Sequence, residues 1–323
     1  MIDLNNIVRP SILRLNPYSC ARDEFKGESG IFLDANENPY GSLNRYPDPY
    51  QAKLKSAISE VKGIPVERIF LGNGSDEIID LCFRAFCTPG VDKALIFPPT
   101  YGMYEVSAAI NDVDVIKVKL DKDFQINAVT VNKITDKALK LIFICSPNNP
   151  TGNSMREEDI ISVLSSFEGI VVVDEAYIDF SGKRSLSRLI DKYNNLVVMQ
   201  TFSKAMGRAA IRVGMAFTSP EIVSLFNKIK PPYNISSINQ AAAIEKLKNF
   251  SKSREQVERI IKERERLIAK LEKMSFVRKV YQSDSNFILV NVDDANKLYN
   301  FLISRNIIVR NRHSIVENCI RIT

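Results

Sequence analysis

From Leu139 to Tyr177 the chain reads LKLIFICSPNNPTGNSMREEDIISVLSSFEGIVVVDEAY, and this stretch decides the fold class. Leu139–Cys145 is a short apolar run closed by Ser146-Pro147, which reads as a strand. Ile170–Val173 is a second such run, and between them Arg156–Ser165 carries apolar residues at helical spacing. Two strands joined through one helix make a β-α-β unit, which requires the strands to run parallel. The runs are continuous rather than alternating, so both faces of the sheet are expected to be covered.

The alternation extends to both sides. Towards the N-terminus, Gln51–Lys62 and Ser75–Phe86 have helical periodicity, and Arg68–Leu71, Ala94–Phe97 and Val113–Val118 read as strands. Towards the C-terminus Leu196–Met199 is another strand. The pattern predicts an α/β fold built on a mostly parallel central sheet flanked by helices. After Pro231-Pro232 the character changes to two long helical patterns, Ser236–Asn249 and Ser253–Met274. A strand (Phe287–Val292), a helix (Ala295–Arg305) and a strand (Ile307–Arg310) follow, predicting a smaller α+β domain. Residues 1–40 are irregular and punctuated by Pro10, Pro17 and Pro39, as in an arm. The expected division is an arm over 1–29 associated with the small domain, a large domain over 30–235 and the small domain over 236–323.

Composition removes several function classes. A chain of 323 residues, 45% hydrophobic and 25% charged, is neither disordered nor fibrous. No apolar run approaches the roughly 18 residues of a membrane span, and Met1–Asn6 has no basic start or apolar stretch of a signal peptide. A cytoplasmic location is therefore expected. The net charge of +6 suits anionic small molecules. The basic stretch Lys252–Lys273 is interleaved with glutamates, which reads as a solvated helix face and argues against nucleic acid. Five cysteines form no CxxC pair and there is one histidine, so no zinc site is expected. That histidine, His313, sits in the polar stretch Asn311-Arg312-His313-Ser314 with no carboxylate next to it, which leaves acid–base work to lysine, tyrosine or a carboxylate.

Ligands of an open α/β sheet bind beyond the carboxyl ends of its strands, and the residues there form a set. After Ile69-Phe70-Leu71 comes Gly72-Asn73-Gly74-Ser75-Asp76-Glu77, opening a helix. Its free N–H groups suit a phosphate, although a plain turn capped by Ser75 would read the same way. Asp174-Glu175-Ala176-Tyr177 places a carboxylate straight after a buried strand, where it needs a cationic partner. Ser146–Gly152 displays amide side chains, and Gln200-Thr201-Phe202-Ser203-Lys204 brings a lysine to a strand mouth ahead of Arg212. Each could be an ordinary turn or surface lysine. Together, a phosphate cradle, a buried carboxylate and an imine-forming lysine are what pyridoxal phosphate requires.

The chain resembles the fold type I pyridoxal-phosphate aminotransferases. The likeness runs through Asn16–Arg22, Leu33–Pro39, Arg45–Asp48, Gly72–Glu77, Pro99–Tyr104, Ser146–Gly152, Asp174–Tyr177, Thr201–Lys204 with Arg212–Gly214, Ser283–Phe287, Arg310, and Arg321–Thr323. It implies that Lys204 holds the cofactor's aldehyde and shuttles the substrate's Cα proton, and that Asp174 pairs with the pyridinium nitrogen. Tyr177 and Asn149 would bond the ring's phenolic oxygen and Tyr101 would stack on the ring. Gly74, Ser75, Asp76, Thr201, Ser203 and Arg212 would hold the phosphate, joined by Tyr46 from across a homodimer interface. Arg321 would grip the substrate's anionic end, with Tyr18, Asn36 and Arg310 as further substrate contacts. Such relatives continue past an Arg-Ile-Thr like Arg321–Thr323, so the small domain is expected to lack a closing helix. The implied reaction is transamination of a phosphorylated amino alcohol, L-histidinol phosphate, with 2-oxoglutarate in histidine biosynthesis. An aromatic-amino-acid aminotransferase and a phosphothreonine decarboxylase are the alternatives within the fold. A catalytically silent regulator, or an acyl enzyme built on Thr201 and Lys204, would be readings outside it.

Overall fold

The computed structural model describes residues 3–18 and 30–323. The apolar runs become a seven-stranded sheet of β1 (Ile69–Asn73), β2 (Lys93–Ile96), β3 (Asp114–Lys117), β4 (Leu139–Cys145), β5 (Ile170–Asp174), β6 (Leu196–Thr201) and β7 (Val213–Phe217). Their spatial order is β1-β7-β6-β5-β4-β2-β3. All pairings are parallel except those of β7, which runs antiparallel to both β1 and β6. Local pattern does not announce β7, because Gly214 interrupts a run of five residues.

Side chains alternate between two cores. Ile142, Ile144, Val171, Val173, Leu196 and Val198 pack on one face, while Leu141, Phe143, Ile170, Val172, Val197 and Met199 pack on the other. Both faces being apolar, the strands read as continuous hydrophobic runs. The helices Ala52–Lys62, Glu157–Ser166 and Ser237–Lys248 cover the first face. Ser75–Phe86, Met103–Ile110 and Pro220–Ile229 cover the second.

A four-stranded antiparallel sheet follows, made of β8 (Val277–Val280), β9 (Ile288–Val292), β10 (Arg310–Asn311) and β11 (Cys319–Ile322) in the order β10-β11-β9-β8. Ile288, Val290, Val292 and Ile320 form its core with Leu271 at the end of the helix Phe250–Leu271. The strand expected over Ile307–Arg310 begins only at Arg310, where it meets Arg321.

Two details bear on the expected domain limits. Ala243 and Leu247 of the helix Ser237–Lys248 are buried in the larger core. In the arm, Ile7 and Val8 are buried against the larger unit rather than the smaller, and Arg9 N donates to Ala85 O at 2.8 Å. Residues 1–2 and 19–29, with Cys20 and Arg22, lie outside the described residues. Among the described residues no helix is long and apolar enough to cross a membrane, and Cys82, Cys87, Cys145 and Cys319 are free, buried thiols.

Candidate active site

The carboxyl ends of β4, β5 and β6 open on the same side, and β1, antiparallel to β7, points the same way. A cavity of about 380 Å³ lies elsewhere against Ala205 and Met206, but the sequence-predicted residues gather in another of about 320 Å³. Its walls carry Ser75, Asp76, Tyr101, Asn149, Asp174, Tyr177, Thr201, Ser203, Lys204, Arg212, Arg310 and Arg321, joined by Cys145 and Arg312.

At the mouth of β1 the structure differs from a serine-capped turn. Gly74 itself occupies the cap position with φ 76°, and among the described residues no side chain caps the helix's first N–H groups. A Cβ on Gly74 would lie 2.5 Å from Arg212 Nη2, so glycine is what admits the guanidinium to the helix end. Arg212 Nη2 pairs with Asp76 Oδ2 at 3.3 Å, and Tyr101 OH donates to Asp76 Oδ1 at 3.2 Å. Uncapped N–H groups beside an arginine and a cavity form an anion site, and the phosphate of pyridoxal phosphate fits it. Glu77, where a dinucleotide fingerprint would have glycine, accepts from Asn73 N and Asn234 Nδ2 and so holds the turn.

Asp174 ends β5 and is 4% exposed. Its Oδ2 accepts from Tyr104 OH at 2.7 Å and its Oδ1 from Ala176 N at 3.0 Å. Burial raises its pKa above the ordinary carboxylate range, while these hydrogen bonds and the charge of Lys204 oppose the rise. The neighbouring Glu175 instead binds Ser185, Gln200 and Leu186 N inside the protein, a structural role. Lys204 follows β6 through a turn in which Ser203 N donates to Thr201 Oγ1 at 3.1 Å. Burial and then the Arg321 charge lower the lysine's pKa, against the pull of Asp174 and Asp76. A lysine so placed is a better nucleophile near neutrality than a solvated one.

The smaller sheet supplies the remaining wall. Arg321 donates to Asn149 Oδ1 and its guanidinium lies 5.0 Å from the Phe287 ring. That bond engages the amide's oxygen. A seam ties the two units beside the site, with Asp284 N donating to Gly152 O at 2.7 Å and Ser154 N to Asp284 Oδ2 at 3.0 Å.

Three predicted residues lie apart. Tyr18 is 74% exposed on another groove, and Asn36 shares a third with Tyr46, whose ring stacks on Tyr233 at 4.4 Å. Three site residues escaped sequence reasoning: Tyr104, Cys145 and Arg312. Spacing held the signal for two of them, since Tyr104 lies three residues beyond Tyr101 at a helix start and Arg312 two beyond Arg310 at a strand.

The sequence model of the family described as aminotransferase class I and II matches residues 30–323. The chain belongs to this family of pyridoxal-phosphate-dependent enzymes. Within it, the chain is 54% identical to the histidinol-phosphate aminotransferase of Cytophaga hutchinsonii, across 99% of this chain and 94% of that protein. It is 50% identical to the protein of the same name from Parabacteroides distasonis, across 100% and 94%. Among solved structures, the histidinol-phosphate aminotransferase from Clostridium acetobutylicum superposes with a TM-score of 0.79 at 29% identity, covering 87% of this chain and 86% of that one. The Sinorhizobium meliloti histidinol-phosphate aminotransferase in complex with pyridoxal-5'-phosphate has the same fold, with a TM-score of 0.78 at 22% identity over 87% and 78% of the two chains.

Proposed function

We propose that the chain transfers the amino group of L-histidinol phosphate to 2-oxoglutarate, giving imidazole acetol phosphate and L-glutamate, as a cytoplasmic step of histidine biosynthesis. One observation carries this reading: a lysine, a buried carboxylate, an anion cradle and arginines of the second sheet share a single cavity. Pyridoxal phosphate, when bound, supplies an aldehyde that takes up the amino group and a ring that accepts electrons from the bonds at Cα.

The residues divide that work. Gly74, Ser75 and Asp76, with Thr201, Ser203 and Arg212, hold the cofactor's phosphate. Asp174 would pair with the ring nitrogen, its charged form favoured by the Tyr104 hydrogen bond, and Tyr101 would cover the ring face. Tyr177 and the N–H donors of Asn149 orient the phenolic oxygen. Lys204 Nζ moves the proton at the substrate's Cα, which its lowered pKa favours. Arg321 and Arg310 hold the substrate's anionic end, and Tyr18 and Asn36 are further contacts from segments that lie apart from the cavity in the single chain.

The same reading makes the protein a homodimer in which Tyr46 reaches the phosphate of the other chain. Supporting it, Ile31, Leu33, Tyr40 and Leu43 are 91%, 90%, 84% and 68% exposed along the segment that carries Tyr46. The proposed division is a cofactor-binding unit from 30 to about 235 and a smaller unit after it, with the helix Ser237–Lys248 as their junction; separate cores support it.

Absorbance spectra of the purified holoenzyme test the proposal, taken before and after adding L-histidinol phosphate without an oxo acid. Conversion of the visible band to the pyridoxamine form supports it. Conversion by phenylalanine or tyrosine alone moves the substrate, and release of CO₂ from O-phosphothreonine, which unlike histidinol phosphate carries a carboxylate, makes the enzyme a decarboxylase.

A further inference from the structure

The short ribbon of β10 and β11 puts three arginines on one face. Residues two apart along a strand share a face, so Arg310 and Arg312 point the same way. Arg310 stands opposite Arg321 across the antiparallel ladder, and such partners also share a face. The ladder reaches Arg312, whose N donates to Cys319 O at 2.9 Å. All three side chains line the cavity that holds Lys204.

Their charges are not neutralised by the protein. Among the described residues, none of the three takes part in an ion pair. The Nε atoms of Arg312 and Arg321 are buried without a hydrogen-bond partner. Arg212, at the cofactor end, differs in having Asp76 as its counter-charge. Burial, then the charges of Arg321 and Arg310, push Arg312 down to about 10, against the opposing pull of Tyr177. Such an arrangement is repulsive until an anion arrives, and one carboxylate is already satisfied by one bidentate fork. A third guanidinium is redundant for a single negative charge and useful for two.

We infer that Arg312 is a further substrate-anion residue which, with Arg310 and Arg321, selects an end group carrying two negative charges, a phosphate monoester foremost. This rests on the proposed placing of Arg310 and Arg321 against the substrate.

Inhibition of the holoenzyme by propyl phosphate, a monoester without an amino group, tests it. The second proton of a phosphate monoester leaves near pH 6, so inhibition of the wild type should tighten about tenfold between pH 5 and pH 7. Arg312→Gln should bind the ester about 10- to 100-fold more weakly at pH 7, the loss of hydrogen bonds between charged groups. Its gain with pH should be smaller than that of the wild type, because the second charge loses one of the three guanidiniums that face it. Arg312→Lys keeps the charge without the fork, and should keep the pH gain with a loss of about tenfold. An Arg312→Gln enzyme with wild-type affinity and pH gain overturns the inference. If that variant loses the cofactor's visible absorption, Arg312→Lys decides: wild-type affinity there overturns the fork. A wild type indifferent to propyl phosphate would fail the placing of Arg310 and Arg321 instead, and with it the phosphorylated substrate.

Discussion

Replacing Tyr104 with phenylalanine removes one oxygen from a buried pair and keeps the ring. The Tyr104 hydroxyl donates to Asp174 Oδ2 at 2.7 Å, and the ring itself has no exposure. Its stack on Phe143 at 4.9 Å and its edge contact with Tyr101 at 5.6 Å need only the ring, so packing should survive. Burial already pushes Asp174 upward, and Tyr104 is first among the groups holding it down. A hydrogen bond to a charged group is worth about 1.5–3 kcal/mol, and one pKa unit is about 1.4 kcal/mol. The lost bond favoured the charged form, so the pKa of Asp174 should rise further. Protonated Asp174 no longer stabilises a positive ring nitrogen. The acid limb of kcat should therefore move to higher pH by about one to two units, and the pH titration of the cofactor's visible absorption should move with it. Tyr104 does not line the cavity, so KM should change little. The assay is kcat, KM and absorbance of the holoenzyme from acid to alkaline pH. An acid limb within about 0.3 unit of wild type, in a variant that binds cofactor, would refute the coupling.

Lys204→Ala should abolish turnover, and borohydride should no longer fix the cofactor to the chain as read by mass spectrometry; near-normal transamination would remove Lys204 from the mechanism. Asp174→Asn should lower kcat far more than it raises KM, since an amide cannot match the ring nitrogen's charge, and an unchanged kcat would sink that pairing. Gly214→Ala would place a Cβ 2.5 Å from Gly74 C and Ser75 N, backbone atoms that have no rotamer to give way. It should cost about 1–3 kcal/mol in denaturant unfolding and loosen cofactor binding, because Gly74 and Ser75 begin the proposed phosphate cradle; wild-type stability would show that β1 and β7 separate without strain.

The part of the site legible in the sequence is the part set by local periodicity. Runs such as Ile170–Val173 and Leu196–Met199 mark where parallel strands stop, and the candidate site residues follow them, Asp174 directly and Lys204 after a further turn. Tyr18, Asn36 and Tyr46 lie on segments whose place is set by long-range packing, and the single chain leaves them outside the cavity. β7 was hidden for a related reason: antiparallel insertion between β1 and β6 is a tertiary choice, and Gly214 is there because a backbone passes close by, not because glycine favours strands.

The arginine wall shows where a sequence reading stops short even when its signals are local. Arg310 and Arg312 carry the strand period, yet the turn of residues 312–318 separates them from Arg321, and only the register Arg310 to Arg321 puts the three on one face. That register also bears on Lys204, because after burial the Arg321 charge does most to lower the lysine's pKa. An anion held by Arg321 would cancel part of that repulsion and raise the lysine's proton affinity at the moment substrate is seated. The second sheet thus bears on the chemistry of the first through charge as well as through the bond from Arg321 to Asn149, and neither sheet's residues, taken separately, disclose it.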